Sequence, residues 1–434
     1  MVKGVKFYLI ILTILYNSCE KKISPDVLAV VGSTQVTSHE FIKSYSNKLI
    51  QSKIQDSNFE RSRVLNELIR TKLFAEGARK NNLNIDSIGR SMVQFEEDIA
   101  LREQLYKKVI QSIMIEIPDS VIRIHYKWKH TEVYLSHLFH HDKAILDTII
   151  PYLKKDTSQF KNYSQILFKD ERLKESGGNL GWIHYNDLDP NLEQIAFSMP
   201  FDEPMGPFRS SYGWHILFKK DIREQILLDE NHYQNNKKRL KQAILKKKKQ
   251  IKANAYINDL MANNVVINDS ITFRILEKIN NIVFDKNRLE LKKDIESSIN
   301  IATKILELKL NINTILATFP GGNFTVDDLL NNLRSSKPEL FLKNPVQQFY
   351  KSLRDKMLTE EARSRELQQH QTVQYKIQSK KDEYLAREYL LYRSKNKRTA
   401  HLSKEEVQTL IKELKSEISI KVYEENLNSL FKTL

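Results

Sequence analysis

Imidazoles are the side chains in this sequence best placed for chemistry. His137 falls in an alternating run from Val133 to Leu138, and His215 falls inside the apolar run Trp214–Phe218. His140 and His141 follow His137 closely enough to raise the idea of a metal site. Adjacent residues of a strand point to opposite faces, however, so no metal ligand set is expected there. Cys19 is the only cysteine. No intramolecular disulfide can form, and the folded body holds neither a thiol nucleophile nor a cysteine metal site.

The elements that must carry these histidines can be read from the pattern around them. Gly177 and Gly178 suit a tight bend, because glycine accepts positive φ and a close approach by another segment. Beyond a short apolar strand, Leu192, Ile195, Ala196 and Met199 recur at helical spacing from an Asp-Pro start at Asp189 and Pro190. Phe208, Trp214, Ile216 and Phe218 then suit a sheet with one buried face, its last two strands joined through Ser210, Ser211, Tyr212 and Gly213. Upstream, Val133, Leu135 and His137 alternate with Tyr134, Ser136 and Leu138 in the expected first strand, and a helix is predicted over Lys143–Lys155. The whole reads as a compact α+β unit.

The ordered series Ser136-His137-Leu138, Gly177-Gly178-Asn179-Leu180-Gly181-Trp182, Ala196-Phe197-Ser198, Gly206-Pro207 and Gly213-Trp214-His215-Ile216 resembles the parvulin-type peptidyl-prolyl cis/trans isomerases. The resemblance spans residues 131–223, about a fifth of the chain. It implies a four-stranded antiparallel sheet with helices, flanked here by mainly α-helical chaperone-like arms. It also implies a site. Leu180, Leu188 and Leu192 would form an apolar cup for the proline ring, with Phe197 beside it. His137 and His215 would be the paired imidazoles beneath, Asp170 the polar group near them, and Ser210 and Tyr212 the hydroxyl and aromatic positions of the hairpin. Two residues depart from the family pattern: Leu192 stands where an aromatic ring is usual, and Asn179 replaces the common Asp. Losing a ring stack would weaken substrate affinity by roughly 1 kcal/mol. The stretch from Phe139 to Lys143 lacks an Arg/Lys cluster, so no preference for phosphorylated Ser-Pro is expected.

The implied reaction needs shape and dipoles. An X-Pro bond turns over in tens to hundreds of seconds because the planar amide must lose resonance across about 18–20 kcal/mol. No bond is made or broken, so the chemistry calls for no nucleophile and no cofactor. A useful site grips the ring, shields the carbonyl from water and suits the twisted state better than the planar one.

At 434 residues the chain is long enough for two or three domains, and its 11 glycines and 10 prolines argue for a largely helical remainder. Residues 1–18 read as a signal peptide: Lys3 and Lys6 precede an apolar run from Phe7 to Tyr16, too short to span a bilayer. Leu15-Tyr16-Asn17-Ser18-Cys19 resembles a bacterial lipobox. That resemblance implies lipidation of Cys19, tethering to a membrane of the cell envelope and a periplasmic face. Glu20, not Asp, follows the cysteine, which by the same analogy favours the outer membrane.

Residues 19–120 form the first arm. A strand is expected at Val27–Val31, a turn at Gly32, a helix opened by Thr37 or Ser38 with Glu40 closing the cap, and a long amphipathic helix over Phe59–Asn81. More helix is expected from Ser91 to Met114, and Ile117-Pro118-Asp119 opens another. The Val-Val-Gly, Thr, Glu-Phe start with the Leu-Ile-Arg-Thr-Lys-Leu-Phe-Ala-Glu helix resembles the amino-terminal region of SurA-type periplasmic folding factors, whose helical part supplies chaperone activity.

Residues 224–287 are a basic helical connector. Lys237–Lys252 holds nine Lys or Arg and no acid, yet Leu240, Ile244 and Ile251 share a face, so a packed helix with a solvated basic side is expected. A periplasmic address excludes nucleic acid as partner and leaves anionic head groups or acidic unfolded clients. Residues 288–434 echo the first arm: Ile315–Phe319, Thr325 and Asp328-Leu329-Leu330 follow Leu28–Phe41 at an offset of 288, and Lys356–Arg363 follows Lys72–Arg79 at 284. A degenerate second copy is the expectation.

Two functions stay open at this point. One is an anchored prolyl isomerase and folding factor for exported polypeptides containing X-Pro bonds. The other is a holdase whose isomerase-like domain is catalytically weak or inactive and serves as a binding module.

Overall fold

The computed structural model describes residues 24, 26–52, 54–210, 212–224, 229–262, 265–284, 308–335, 344–394 and 402–432. Cys19, the signal segment and residues 288–307 lie outside the described residues.

In chain order the elements are β1 (Val27–Val31), β2 (Thr34–Thr37), α1 (Ser38–Ser52), α2 (Asn58–Lys80) and α3 (Ser87–Tyr106), then α4 (Asp119–Lys129), β3 (Thr131–His140), α5 (Lys143–Lys155), α6 (Phe160–Leu167) and α7 (Glu171–Glu175). Next come β4 (Asn179–Ile183), α8 (Pro190–Ser198), β5 (Met205–Arg209), β6 (Trp214–Glu224), α9 (Glu230–Met261), β7 (Val266–Ile267) and α10 (Asp269–Phe284). The last are β8 (Ile315–Phe319), β9 (Gly322–Thr325), α11 (Val326–Ser335), α12 (Pro345–Ser364), α13 (Gln371–Arg393), α14 (Lys404–Glu417), β10 (Ile420–Val422) and α15 (Glu424–Lys432). No helix among the described residues is long and apolar enough to cross a membrane.

The chain divides into two compact units, Met1–Ala100 with Gln368–Leu434, and Leu101–Leu367. In the first unit the sheet order is β10-β1-β2. Leu28, Val36 and Phe41 bury against Val64, Leu73 and Phe74 of α2, and the core is closed by Tyr389, Leu414 and Leu427. The first arm is thus completed by the chain's last elements. Ser57 caps α2 by accepting the Glu60 N–H at 3.2 Å. Thr37 Oγ1 accepts the Glu40 N–H at 3.3 Å. The expected return bond from Glu40 is replaced: its carboxylate pairs with Lys72 at 3.1 Å and accepts from Ser379 Oγ at 2.6 Å. A buried ammonium outcompetes a helix end for that charge.

The second unit holds a four-stranded antiparallel sheet of order β4-β3-β6-β5. Val133, Leu135 and Leu217 pack with Leu192, Ala196 and Phe197 of α8 on one face. Leu138, Ile216 and Phe218 pack with Leu146, Leu153 and Phe160 of α5 and α6 on the other. Both faces are therefore covered, and α5 spans the residues expected of it, with Asp142 Oδ1 accepting the Ala144 N–H at 2.9 Å. Alongside, α9 buries Tyr233, Leu240 and Ile244 against Ile122 and Tyr126 of α4. The basic run is a packed helix, and the connector also supplies β7 to a third sheet of order β7-β8-β9. That sheet closes a small core with Phe324, Leu329, Phe349 and Met357.

Candidate functional site

His137 and His215 are placed by neighbouring strands. β3 and β6 run antiparallel with His137 opposite Leu217 and Phe139 opposite His215, so the two imidazoles are diagonal neighbours across one face. Their rings lie 5.6 Å apart between centroids at 19°, with Nδ1 to Nδ1 at 3.4 Å. One of the facing nitrogens must donate and the other accept, which neutral imidazoles of opposite tautomer satisfy. Ser210 Oγ lies 2.8 Å from His215 Nε2 and also accepts the Tyr212 N–H at 3.0 Å. A chain of polar groups thus runs from the hairpin to β3.

Burial keeps both rings uncharged. Desolvation, with His215 and Arg172 adding to it, pushes His137 down to about 4. Desolvation likewise pushes His215 down to about 4, against the pull of Asp189. Phe168 and Phe139 wall the pair, their ring centroids 5.2 Å from His137 and 5.0 Å from His215. Neither phenylalanine stood out in the sequence, since an aromatic residue in or beside a strand reads as ordinary core.

Two glycines let the backbone close around the histidines. Gly178 has φ +70°, and a Cβ there would meet the His137 carbonyl oxygen at 2.0 Å. Its own carbonyl accepts the His137 N–H at 2.8 Å. Gly206, at φ +139°, lets β5 approach the His215 carbonyl, which a Cβ would meet at 2.6 Å.

Leu180, Leu188, Leu192 and Phe197 fall in one apolar cluster with Leu135 and Leu217, the neighbours of the histidines on their strands. Leu180 is the extra residue of a bulge, where β4 pairs Gly181 with Leu135 and Asn179 with Ser136. Leu192 is buried within this cluster. Asn179 accepts the Gly181 N–H at 2.8 Å and donates through its amide to the Tyr134 hydroxyl, a second bond that a carboxylate would have to accept instead.

Other expected residues sit further out. Asp170 is exposed and its carboxylate caps α7, accepting the Leu173 N–H at 3.0 Å; it lies two positions from Phe168 in the chain. Tyr212 is 69% exposed on the hairpin. His140 accepts the Asp142 N–H at 2.9 Å, while the His141 ring meets Phe139. Among the described residues no group of three or more His, Cys, Asp or Glu gathers as metal ligands would.

Comparison with known proteins identifies the kind of domain that holds these residues. Residues 140–221 match the rotamase family, described as the PPIC-type PPIase domain. The chain is 23% identical over 296 residues to Foldase protein PrsA 1 of Bacillus cereus, covering 62% of this chain and 98% of that protein. It is 33% identical over 72 residues to Chaperone SurA of Alcanivorax borkumensis, 17% of each chain. Among solved structures, a PpiC-type peptidyl-prolyl cis-trans isomerase domain is 26% identical, with 22% of this chain and 95% of that one covered and a TM-score of 0.21. The chain therefore carries a parvulin-type peptidyl-prolyl cis/trans isomerase domain of the PPIC class, and proteins similar to it are named foldases and chaperones.

Proposed function

We propose that this protein is a prolyl isomerase and folding factor acting on unfolded exported polypeptides that contain X-Pro bonds. In this reading Leu180, Leu188, Leu192 and Phe197 receive the proline ring, and the His137–His215 pair forms the floor on which the amide turns. A neutral imidazole pair offers hydrogen-bonding dipoles without a fixed charge, which suits a reaction that passes through a less polar, twisted amide. The stacked, uncharged histidines on the face carrying the leucines are the single observation that supports it best. Asp170 and Tyr212 would act at the rim.

A second reading is a holdase with little catalysis. Leu192 in place of an aromatic ring favours it, as does a cleft of about 570 Å³ between α2 and α14 with Phe59, Ile69 and Ile411 among its walls. A protease-coupled assay on a prolyl peptide tests the first reading: the intact chain accelerates isomerisation and His215→Ala does not. No rate above background for the intact chain leaves only the holdase, which suppression of client aggregation would then reveal.

The cell envelope is the proposed location, with Cys19 lipidated and the chain facing the periplasm from the outer membrane. No nucleic-acid role is proposed. Mass spectrometry of the amino-terminal peptide, searching for acyl chains on Cys19, tests the anchor. The domain division proposed is 19–120, 131–223, 224–287 and 288–434 after a removed 1–18.

A further inference from the structure

We infer that Lys247 of α9 is a positioning residue for the isomerisation, acting from outside the matched domain; this rests on the isomerase reading of the site. Glu193, next to Leu192 in α8, is 2% exposed. A carboxylate buried that deeply needs partners. It has two: Oε2 accepts the backbone N–H of Asn186, and Oε1 pairs with the Lys247 ammonium. Asn186 sits at φ +84°, a conformation that a non-glycine residue holds only when something fixes it. The same ammonium lies 3.8 Å from the centre of the Tyr185 ring, whose hydroxyl meets His125 Nδ1 at 2.9 Å. Desolvation raises the Tyr185 hydroxyl above its usual range and, with Lys247 and Lys248 adding to it, pushes His125 down to about 4, so the hydroxyl and the ring face each other neutral. Helices α4 and α9 therefore grip residues 185–193 between them. That stretch contains Leu188 and Leu192, two of the leucines assigned to the proline ring.

Kinetics on the full chain test this. Lys247→Met raises KM for a prolyl peptide by about threefold to tenfold with kcat nearly kept, Lys247→Arg restores most of the affinity, and the exposed neighbour Lys246→Met changes nothing. Wild-type KM in Lys247→Met, or Lys247→Arg as impaired as Lys247→Met, overturns the proposal. If Lys247→Met does not fold, the isosteric Glu193→Gln reads the same contact, and an unchanged KM there also overturns it. An inactive wild-type chain would instead defeat the isomerase reading itself.

A second inference stands on the backbone pairing. The geometry points to a tandem duplication whose two copies exchange their ends. Each copy comprises a hairpin, a helix, a long helix, a third helix, a fourth helix that is 32 residues in the first copy and 14 in the second, a short strand and a last helix: β1 through α3 with α9, β7 and α10, and β8 through α15. Local contacts repeat. Thr37 Oγ1 accepts the Glu40 N–H at 3.3 Å, and Thr325 Oγ1 accepts the Asp328 N–H at 3.3 Å. Lys72 meets Glu40 at 3.1 Å, and Lys356 meets Asp328 at 3.2 Å. In the third helices Gln94 donates to Asp98, and Gln378, 284 positions later, donates to Asp382.

The short strands cross over. Val422 of the second copy pairs with Ala29 of the first, while Ile267 of the first pairs with Ala317 of the second, and Ala317 is the counterpart of Ala29 at the offset of 288. Even the next bond is repeated: the Tyr423 N–H reaches the Leu28 carbonyl and the Asn268 N–H the Leu316 carbonyl, both at 2.8 Å. Asp382 of the second copy likewise neutralises Lys72 of the first at 2.8 Å.

Hydrogen exchange on the full chain decides the matter. Val422→Pro speeds exchange at least about tenfold in residues 27–37 and spares 315–325, whereas Ile267→Pro does the reverse. The opposite, uncrossed pattern overturns the exchange. Should either proline variant unfold the whole chain, Ala29→Cys with Val422→Cys in a Cys19→Ser background provides the reading: oxidation yields an intrachain disulfide if the strands cross as described, and only interchain disulfide or none if they do not.

Discussion

His137 and His215 share one hydrogen bond between like nitrogens, Nδ1 to Nδ1 at 3.4 Å, inside a wall of phenylalanine. Such a pair carries one N–H on each ring and disfavours a third proton. Both imidazoles are held at about 4, below their ordinary 6.5. Between pH 4 and 6.5 the unfolded chain therefore binds more protons than the folded one, and stability rises with pH across that window. The contribution is complete above pH 6.5 and is lost as pH falls from there through 4. NMR titration of the two rings checks this, and a midpoint near 6.5 for either would contradict it.

His215→Ala strands a polar group in the domain interior. It leaves His137 Nδ1 without its partner and removes one of the bonds of Ser210 Oγ, at a cost of about 1–3 kcal/mol. Denaturant unfolding should show that loss alongside the fall in isomerase rate, with Ser210→Ala milder on both counts.

Gly178→Ala should be among the most damaging small changes in the domain. The new methyl would strike the His137 carbonyl oxygen at 2.0 Å in a backbone already at φ +70°. A loss of at least about 1–3 kcal/mol is expected, with displaced His137 resonances in the same variant.

Restoring an aromatic ring at position 192 should not improve the enzyme. Leu192 is 5% exposed within a packed cluster. Overpacking costs typically about 1–3 kcal/mol, more than the roughly 1 kcal/mol that a ring stack returns. Leu192→Phe is expected to lower the melting temperature without lowering KM, and a clearly reduced KM would show room that the packing does not suggest.

In the first unit Lys72→Met should cost about 3–5 kcal/mol, because Asp382 is fully buried and would lose its ammonium. Thermal unfolding of the full chain measures it. A change below about 1 kcal/mol would mean that Arg79, which also reaches Asp382, carries the charge alone.

Much of this was written into local pattern. Val27–Val31 and Lys143–Lys155 could be read to the residue because a β-branched run and helical spacing each declare themselves nearby. The α+β unit was legible because its glycines, its Asp-Pro start and its alternation all agree. What escaped depends on distance in the chain. A strand as short as Ile420–Val422 has no period of its own, so nothing near it announces a partner at Ala29. Nothing near Glu193 in the sequence announces that Lys247, 54 positions on, closes over it. Glu40 was read as a local cap for the same reason.

The pairing of β1 with β10 also sets an order of events. The parvulin sheet draws all its strands from residues 131–224 and can assemble as soon as they emerge. The amino-terminal hairpin, by contrast, must wait until Ile420–Val422 has been made before its edge is covered. A newly made molecule thus has its catalyst in hand while its own first strands are still unfinished, and is briefly an unfolded chain of the kind a folding factor meets.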